Sequence, residues 1–144
     1  MFIVNKAGSM VFQKDFAERA GALTTNDLMS LASTLFSIQE IARNLSPVRD
    51  PTGAGFGIER LEADTFVLQA FRPATGTLFV VTAAPGTQNL KTLLAEVYQL
   101  FADFVLKNPF HQLDMPIRSN LFEEAVGRTV RRYAEHGAGH GARA

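Results

Sequence analysis

The run Ile58-Glu59-Arg60-Leu61-Glu62-Ala63-Asp64-Thr65-Phe66-Val67-Leu68-Gln69-Ala70-Phe71-Arg72-Pro73-Ala74-Thr75-Gly76-Thr77-Leu78-Phe79-Val80-Val81-Thr82-Ala83 decides the fold. It reads as three short strands, Ile58 to Leu61, Phe66 to Phe71 and Leu78 to Ala83. The connections Leu61 to Thr65 and Arg72 to Gly76 are too short for a crossover helix, so the strands form an antiparallel meander. Leu78-Phe79-Val80-Val81 has no polar alternation, which predicts a central strand covered on both faces.

Upstream, Val48 to Gly57 is a loop rich in Gly, Pro and Asp. Before it, Leu28, Leu31, Leu35, Ile38, Ala42 and Leu45 recur at steps of three and four, widened by Met29, Ala32 and Phe36, and predict an amphipathic helix. Thr24 and Asp27 approximate its capping box, and Ser46-Pro47 stops it because proline lacks an amide donor. At the N-terminus, Phe2-Ile3-Val4 and Met10-Val11-Phe12 flank the turn Asn5 to Ser9 and predict a hairpin. Downstream, Leu90, Leu93, Leu94, Val97, Leu100, Phe101, Phe104 and Val105 mark a helix from about Asn89 to Lys107, ended by Asn108-Pro109. Phe110 to Arg118 is an ordered loop. A last helix starts near Asn120 with Glu123 as capping partner, faces Leu121, Phe122, Val126, Val130 and Tyr133 inward, pairs Glu124 with Arg128, and ends at Gly137. The order β-β-α-β-β-β-α-α predicts an α/β architecture of the α+β kind, a five-stranded antiparallel sheet with one helix on one face and two on the other. Residues 1–136 read as one domain and 137–144 as a flexible tail.

Composition narrows the function classes. A chain of 144 residues fits one domain with an adequate core. Fourteen basic residues balance fourteen acidic ones, which removes the usual electrostatic case for nucleic acid. Cysteine is absent, excluding disulfides and a thiol nucleophile, and an intracellular setting fits this. The N-terminus lacks a signal-peptide pattern, lipidation boxes are missing, and no apolar run approaches the roughly 18 residues of a membrane span.

Sites for chemistry are weak. Gly53-Ala54-Gly55-Phe56-Gly57 matches no nucleotide fingerprint and precedes a strand, whereas a phosphate cradle should open a helix. His136 and His140 are separated by Gly137 and Gly139, which predicts a tail unable to preset two imidazoles, and His111 stands alone. The carboxylates Glu59, Glu62, Asp64, Glu123 and Glu124 fall at turns or on polar helix faces. No catalytic residue, metal site or cofactor is expected. The first helix is a better candidate: Met29, Leu31, Phe36, Ile38 and Ile41 give it a wider apolar surface than one sheet needs. That surplus reads either as ordinary core or as a face for a second protein.

Lys107-Asn108-Pro109-Phe110-His111-Gln112-Leu113-Asp114-Met115-Pro116-Ile117-Arg118 resembles the Lys-Asn-Pro-Phe…Met-Pro-Ile-Arg segment of the synbindin-type subunits of the transport protein particle, TRAPP. Val4 to Gly8 resembles that family's first hairpin, Leu45-Ser46-Pro47 the end of its first helix, and Gly57-Ile58-Glu59, Asp64-Thr65-Phe66, Thr75-Gly76 and Phe79-Val80-Val81 its meander. The likeness covers roughly residues 2 to 126.

The resemblance implies a longin (profilin-like) fold and a non-catalytic scaffold role. It implies partners in a second longin-type subunit and the palmitoylated-type subunits, with a Rab GTPase met through the assembled exchange factor. It further implies a cytoplasmic protein held peripherally at ER and Golgi membranes by the complex. Animal-type members carry a PDZ-like insert where only Lys14 to Leu23 stands here, and their first strand begins earlier, which predicts a shortened ladder. In the loop, Asn108 is expected to cap the second helix, Pro109 and Pro116 to fix the chain, Phe110, Leu113, Met115 and Ile117 to plug the core, and Arg118 to pin the turn. The same loop offers Lys107, His111, Asp114 and Arg118 to a neighbour or the GTPase. Alternatives are a sedlin-like or adaptor small subunit, or a profilin-like small-ligand binder. The isolated chain is also able to pair with a second copy.

Overall fold

The computed structural model describes residues 1–14, 25–47, 57–64, 66–73, 75–111 and 115–141. Its elements are β1 (Phe2–Val4), β2 (Met10–Gln13), α1 (Thr25–Leu45), β3 (Arg60–Glu62), β4 (Val67–Phe71), β5 (Leu78–Ala83), α2 (Leu90–Phe101), continued by a π-helical turn Ala102–Leu106, and α3 (Asn120–Gly141). The sheet runs β2-β1-β5-β4-β3 with every neighbouring pair antiparallel.

Strand alternation divides the core in two. Phe2, Val4, Leu68, Ala70, Leu78 and Val80 point to one face, where Ala32 and Leu35 of α1 cover them. Ile3, Val67, Phe79 and Val81 point to the other, against Leu93, Leu94, Val97 and Phe101 of α2 and Phe122 and Val126 of α3. The expected central strand is β5, whose Leu78, Phe79, Val80 and Val81 are all buried. Edge-on ring contacts lock the two-helix side: Phe79 lies 5.3 Å from Phe101 and Phe12 lies 5.1 Å from Phe122. Each such side chain stabilises the fold by roughly 1.5–3 kcal/mol through area removed from water.

The first hairpin turns on Asn5, which is buried; its Oδ1 accepts from the amides of Ala7 and Ser9, and Gly8 sits at φ 91°. β1 pairs with Leu78, Phe79 and Val80 of β5, so Val81, Thr82 and Ala83 have their ladder partners in β4.

Several boundaries differ from the sequence expectation. β3 starts at Arg60, not Ile58; the Ile58 amide and carbonyl, which face away from β4, bond to the side chain of Gln39. α2 does not run as one α-helix to Lys107; it widens into the π turn, in which the Lys107 amide donates to Ala102 O at 3.3 Å. α3 continues past Gly137 to Gly141. Glycine costs a helix about 1 kcal/mol but keeps its amide donor, so it weakens a helix without stopping it as proline does. At the start of α3 the cap is Ser119, whose Oγ accepts from the Phe122 amide, while Glu123 pairs with Lys14 at 2.8 Å. Glu124 and Arg128 are both exposed and form no ion pair with each other. Leu121, expected inside, is exposed. The Thr24 cap lies outside the described residues.

Candidate interaction surface

α1 has more apolar side chains than its sheet face accepts. Ala32, Leu35 and Gln39 face the sheet and are buried. Leu31, Ile38 and Leu45 follow one another at seven-residue steps on one flank, with Ile41 beside them. All four are exposed, Ile41 at 58% and Leu45 at 77%. Seven residues is nearly two helical turns, the spacing with which one helix presents a seam to another. Met29 is exposed on the opposite flank.

Phe36 does not belong to this surface. It is half-buried, packs against the core under α1, and its Cδ1 lies 3.3 Å from where a Cβ on Gly8 would stand. The Arg72 guanidinium stacks 5.6 Å above its ring and reaches Glu40 at 2.7 Å, and Arg43 approaches the same carboxylate at 3.3 Å. The hydrogen bond from Arg72, reinforced by both positive charges against a modest cost of burial, holds the Glu40 carboxyl below the usual carboxylate range. Phe36 therefore pins α1 to the first hairpin and to the end of β4.

The two sheet edges are treated differently. At β2 the Ile117 amide donates to Val11 O at 2.8 Å, so the loop before α3 covers that edge. At β3 no described strand follows. Leu61 stands opposite Leu68, which packs under α1, so Leu61 shares the α1 side of the sheet; it is 43% exposed. Arg60 and Glu62 point to the other side and pair at 2.8 Å. Leu61 and the exposed α1 seam thus lie on the same face of the sheet.

The loop after α2 departs from the expected plug. Phe110 is 93% exposed and Met115 is also exposed, while Ile117 packs into the two-helix core. Pro109 and Pro116 are exposed. Asn108 does not cap α2; its Oδ1 accepts from the Phe110 amide at 3.0 Å and shapes the turn. Lys107 pairs with Asp103 at 3.3 Å, and exposed Arg118 makes no ion pair among the described residues. His111 and Arg118 line a groove of about 460 Å³ with Phe104, Val105, Met115 and Ile117. Asp114 and Leu113 lie outside the described residues.

Among the described residues no three His, Cys, Asp or Glu side chains gather to hold a metal. α3 spans both His136 and His140, so the glycines do not break the helix between them. No described helix is long and apolar enough to cross a membrane. Met29, Ile38 and Ile41, expected to widen the apolar surface of α1, are exposed, while no local signal pointed to the buried amide of Gln39. Spacing alone puts Leu45 on the inward stripe and leaves Leu31 and Ile38 on both the stripe and the surplus, because it does not locate the stripe's centre.

A five-stranded antiparallel sheet covered by one helix on one face and by two on the other defines a longin-like fold. The sequence pattern of the sybindin-like family matches residues 1–133, and the chain belongs to that family. It is 44% identical over 130 residues to trafficking protein particle complex subunit 4 of Dictyostelium discoideum, covering 90% of this chain and 93% of that protein. The subunit 4 of Bos taurus is also 44% identical, over 102 residues, or 71% of this chain but 45% of that one. The chain therefore spans about half the length of such mammalian relatives. Subunit 1 of Rattus norvegicus is 24% identical over 115 residues, 79% of this chain and 77% of that protein.

Proposed function

We propose that this chain is a non-catalytic scaffold subunit of the trafficking protein particle complex, acting by shape in ER-to-Golgi transport. The α1 seam and the β3 edge dock a second longin-type subunit. The pair contributes to opening a Rab GTPase only within the assembly, held peripherally at ER and Golgi membranes. The observation that carries this reading is the exposed row Leu31, Ile38, Ile41 and Leu45 on a helix whose other face is fully used by its own core. Likeness to subunits 4 and 1 of one complex supports a pairing of two related chains. Exposed Phe110, Met115 and Leu121 supply a second surface, for a further neighbour or the GTPase.

Affinity purification of the tagged chain from its own cells at moderate salt tests the reading. Other subunits of the particle should be recovered in near-equal amounts. Recovery of the folded chain alone, or with unrelated proteins, would leave the fold standing and remove the function.

A further inference from the structure

Gln39 is 4% exposed, and its carboxamide is used twice on one residue: Nε2 donates to Ile58 O and Oε1 accepts from the Ile58 amide, each at 2.6 Å. Gly57 leaves the space for this, since a Cβ there would collide with Oε1. The phase of the β3 ladder gives the contact its meaning. Ala63 donates to Phe66 O and Ala70 donates to Glu59 O, in register with Leu61 opposite Leu68. Odd-numbered residues thus turn their peptide groups toward β4, and Arg60 and Glu62 turn theirs to the edge that no described strand covers. Ile58 is in the same phase as Arg60 and Glu62. The Gln39 carboxamide stands where the peptide group of an added strand would stand.

We propose that Gln39 is the positioning residue of the β3 docking edge: by occupying the Ile58 position it confines a strand added by the neighbouring longin-type subunit to Arg60 and Glu62, and so sets its register. This rests on the docking role proposed above. The device answers a specific ambiguity. A slip of one residue turns apolar side chains to the wrong face and is rejected by packing. A slip of two residues keeps every side chain on its face, so side-chain alternation cannot reject it. Closing the backbone of Ile58 does. An extended backbone is the occupant the edge calls for, because Arg60 and Glu62 neutralise each other and leave peptide groups and Leu61 as its chemistry.

Amide hydrogen exchange, residue by residue, on the chain alone and bound to the purified subunit-1-type protein of the same cells tests this. In the free chain the Ile58 amide should exchange slowly and those of Arg60 and Glu62 fast; binding should slow the latter two. Gln39→Met keeps the volume and removes both bonds. It should open Ile58 in the free chain, let the partner protect Ile58 in the complex, and weaken binding about tenfold, the weight of roughly one hydrogen bond. Gly57→Ala, which displaces the carboxamide without touching the α1 core, should do the same. If binding protects the α1 seam but leaves Arg60 and Glu62 unchanged, no strand is added and the inference fails while docking stands. Unchanged affinity of both variants, with Ile58 open in the complex, also overturns it. If the wild-type chain does not bind the partner, the docking reading itself falls.

Discussion

Gly8, Phe36, Arg72 and Glu40 show how single residues fasten α1. Gly8 holds a left-handed φ of 91° directly beneath the Phe36 ring. A methyl group there strains the backbone and presses a ring already stacked under Arg72. Gly8→Ala should therefore cost about 1–2 kcal/mol, lowering the melting midpoint by several degrees in a thermal scan. The Glu40 carboxyl, held low by Arg72, titrates below its unfolded counterpart. Its contribution to stability is thus present above the usual carboxylate range and is lost as pH falls through that range to the lower folded value. Glu40→Gln should flatten part of the acid side of the stability curve in denaturant titrations run at stepped pH. The pairing of Glu40 with Arg72 joins positions 32 residues apart and left no trace in local spacing. Asn5 was legible, because an Asn before Lys-Ala-Gly is turn chemistry whatever surrounds it.

At the scale of elements, α1 separates fastening from docking. Ile38→Asp replaces a side chain that touches water already, so the melting midpoint should stay within about 2 °C while capture of the partner on a column is lost. Phe36→Asp should instead unfold the chain, since it places a charge against the α1 core. The loop after α2 divides in the same way. Phe110→Ala should leave stability unchanged in urea titration, whereas Ile117→Ala should lower it by about 1–3 kcal/mol, because Ile117 packs into the core and its segment covers the β2 edge. Periodicity revealed that α1 is broadly apolar, but a 3.6-residue repeat does not say which of two apolar stripes meets the sheet. That depends on where α1 comes close to β1 and β2, which is a property of the packed elements.

The whole molecule has its two cores on opposite sides of one sheet, and among the described residues the α1 face carries the exposed row of α1 together with Leu61 of the last strand. A partner that covers both binds the folded state alone, so its addition should raise the melting midpoint in proportion to the logarithm of its concentration. A midpoint indifferent to partner concentration would mean that the folded chain does not bind that partner.

Element order, the antiparallel meander, the doubly buried β5 and family membership were all determined by the sequence, because alternation, tight turns and a twelve-residue loop motif are local signals. The tertiary structure alone decided that Phe36 is inside while Leu31 and Leu45 are outside, that β2 is closed by Ile117, and that Gln39 caps Ile58. Each of those depends on which surfaces meet across long sequence separation, where burial is shared between elements and no single segment carries the information.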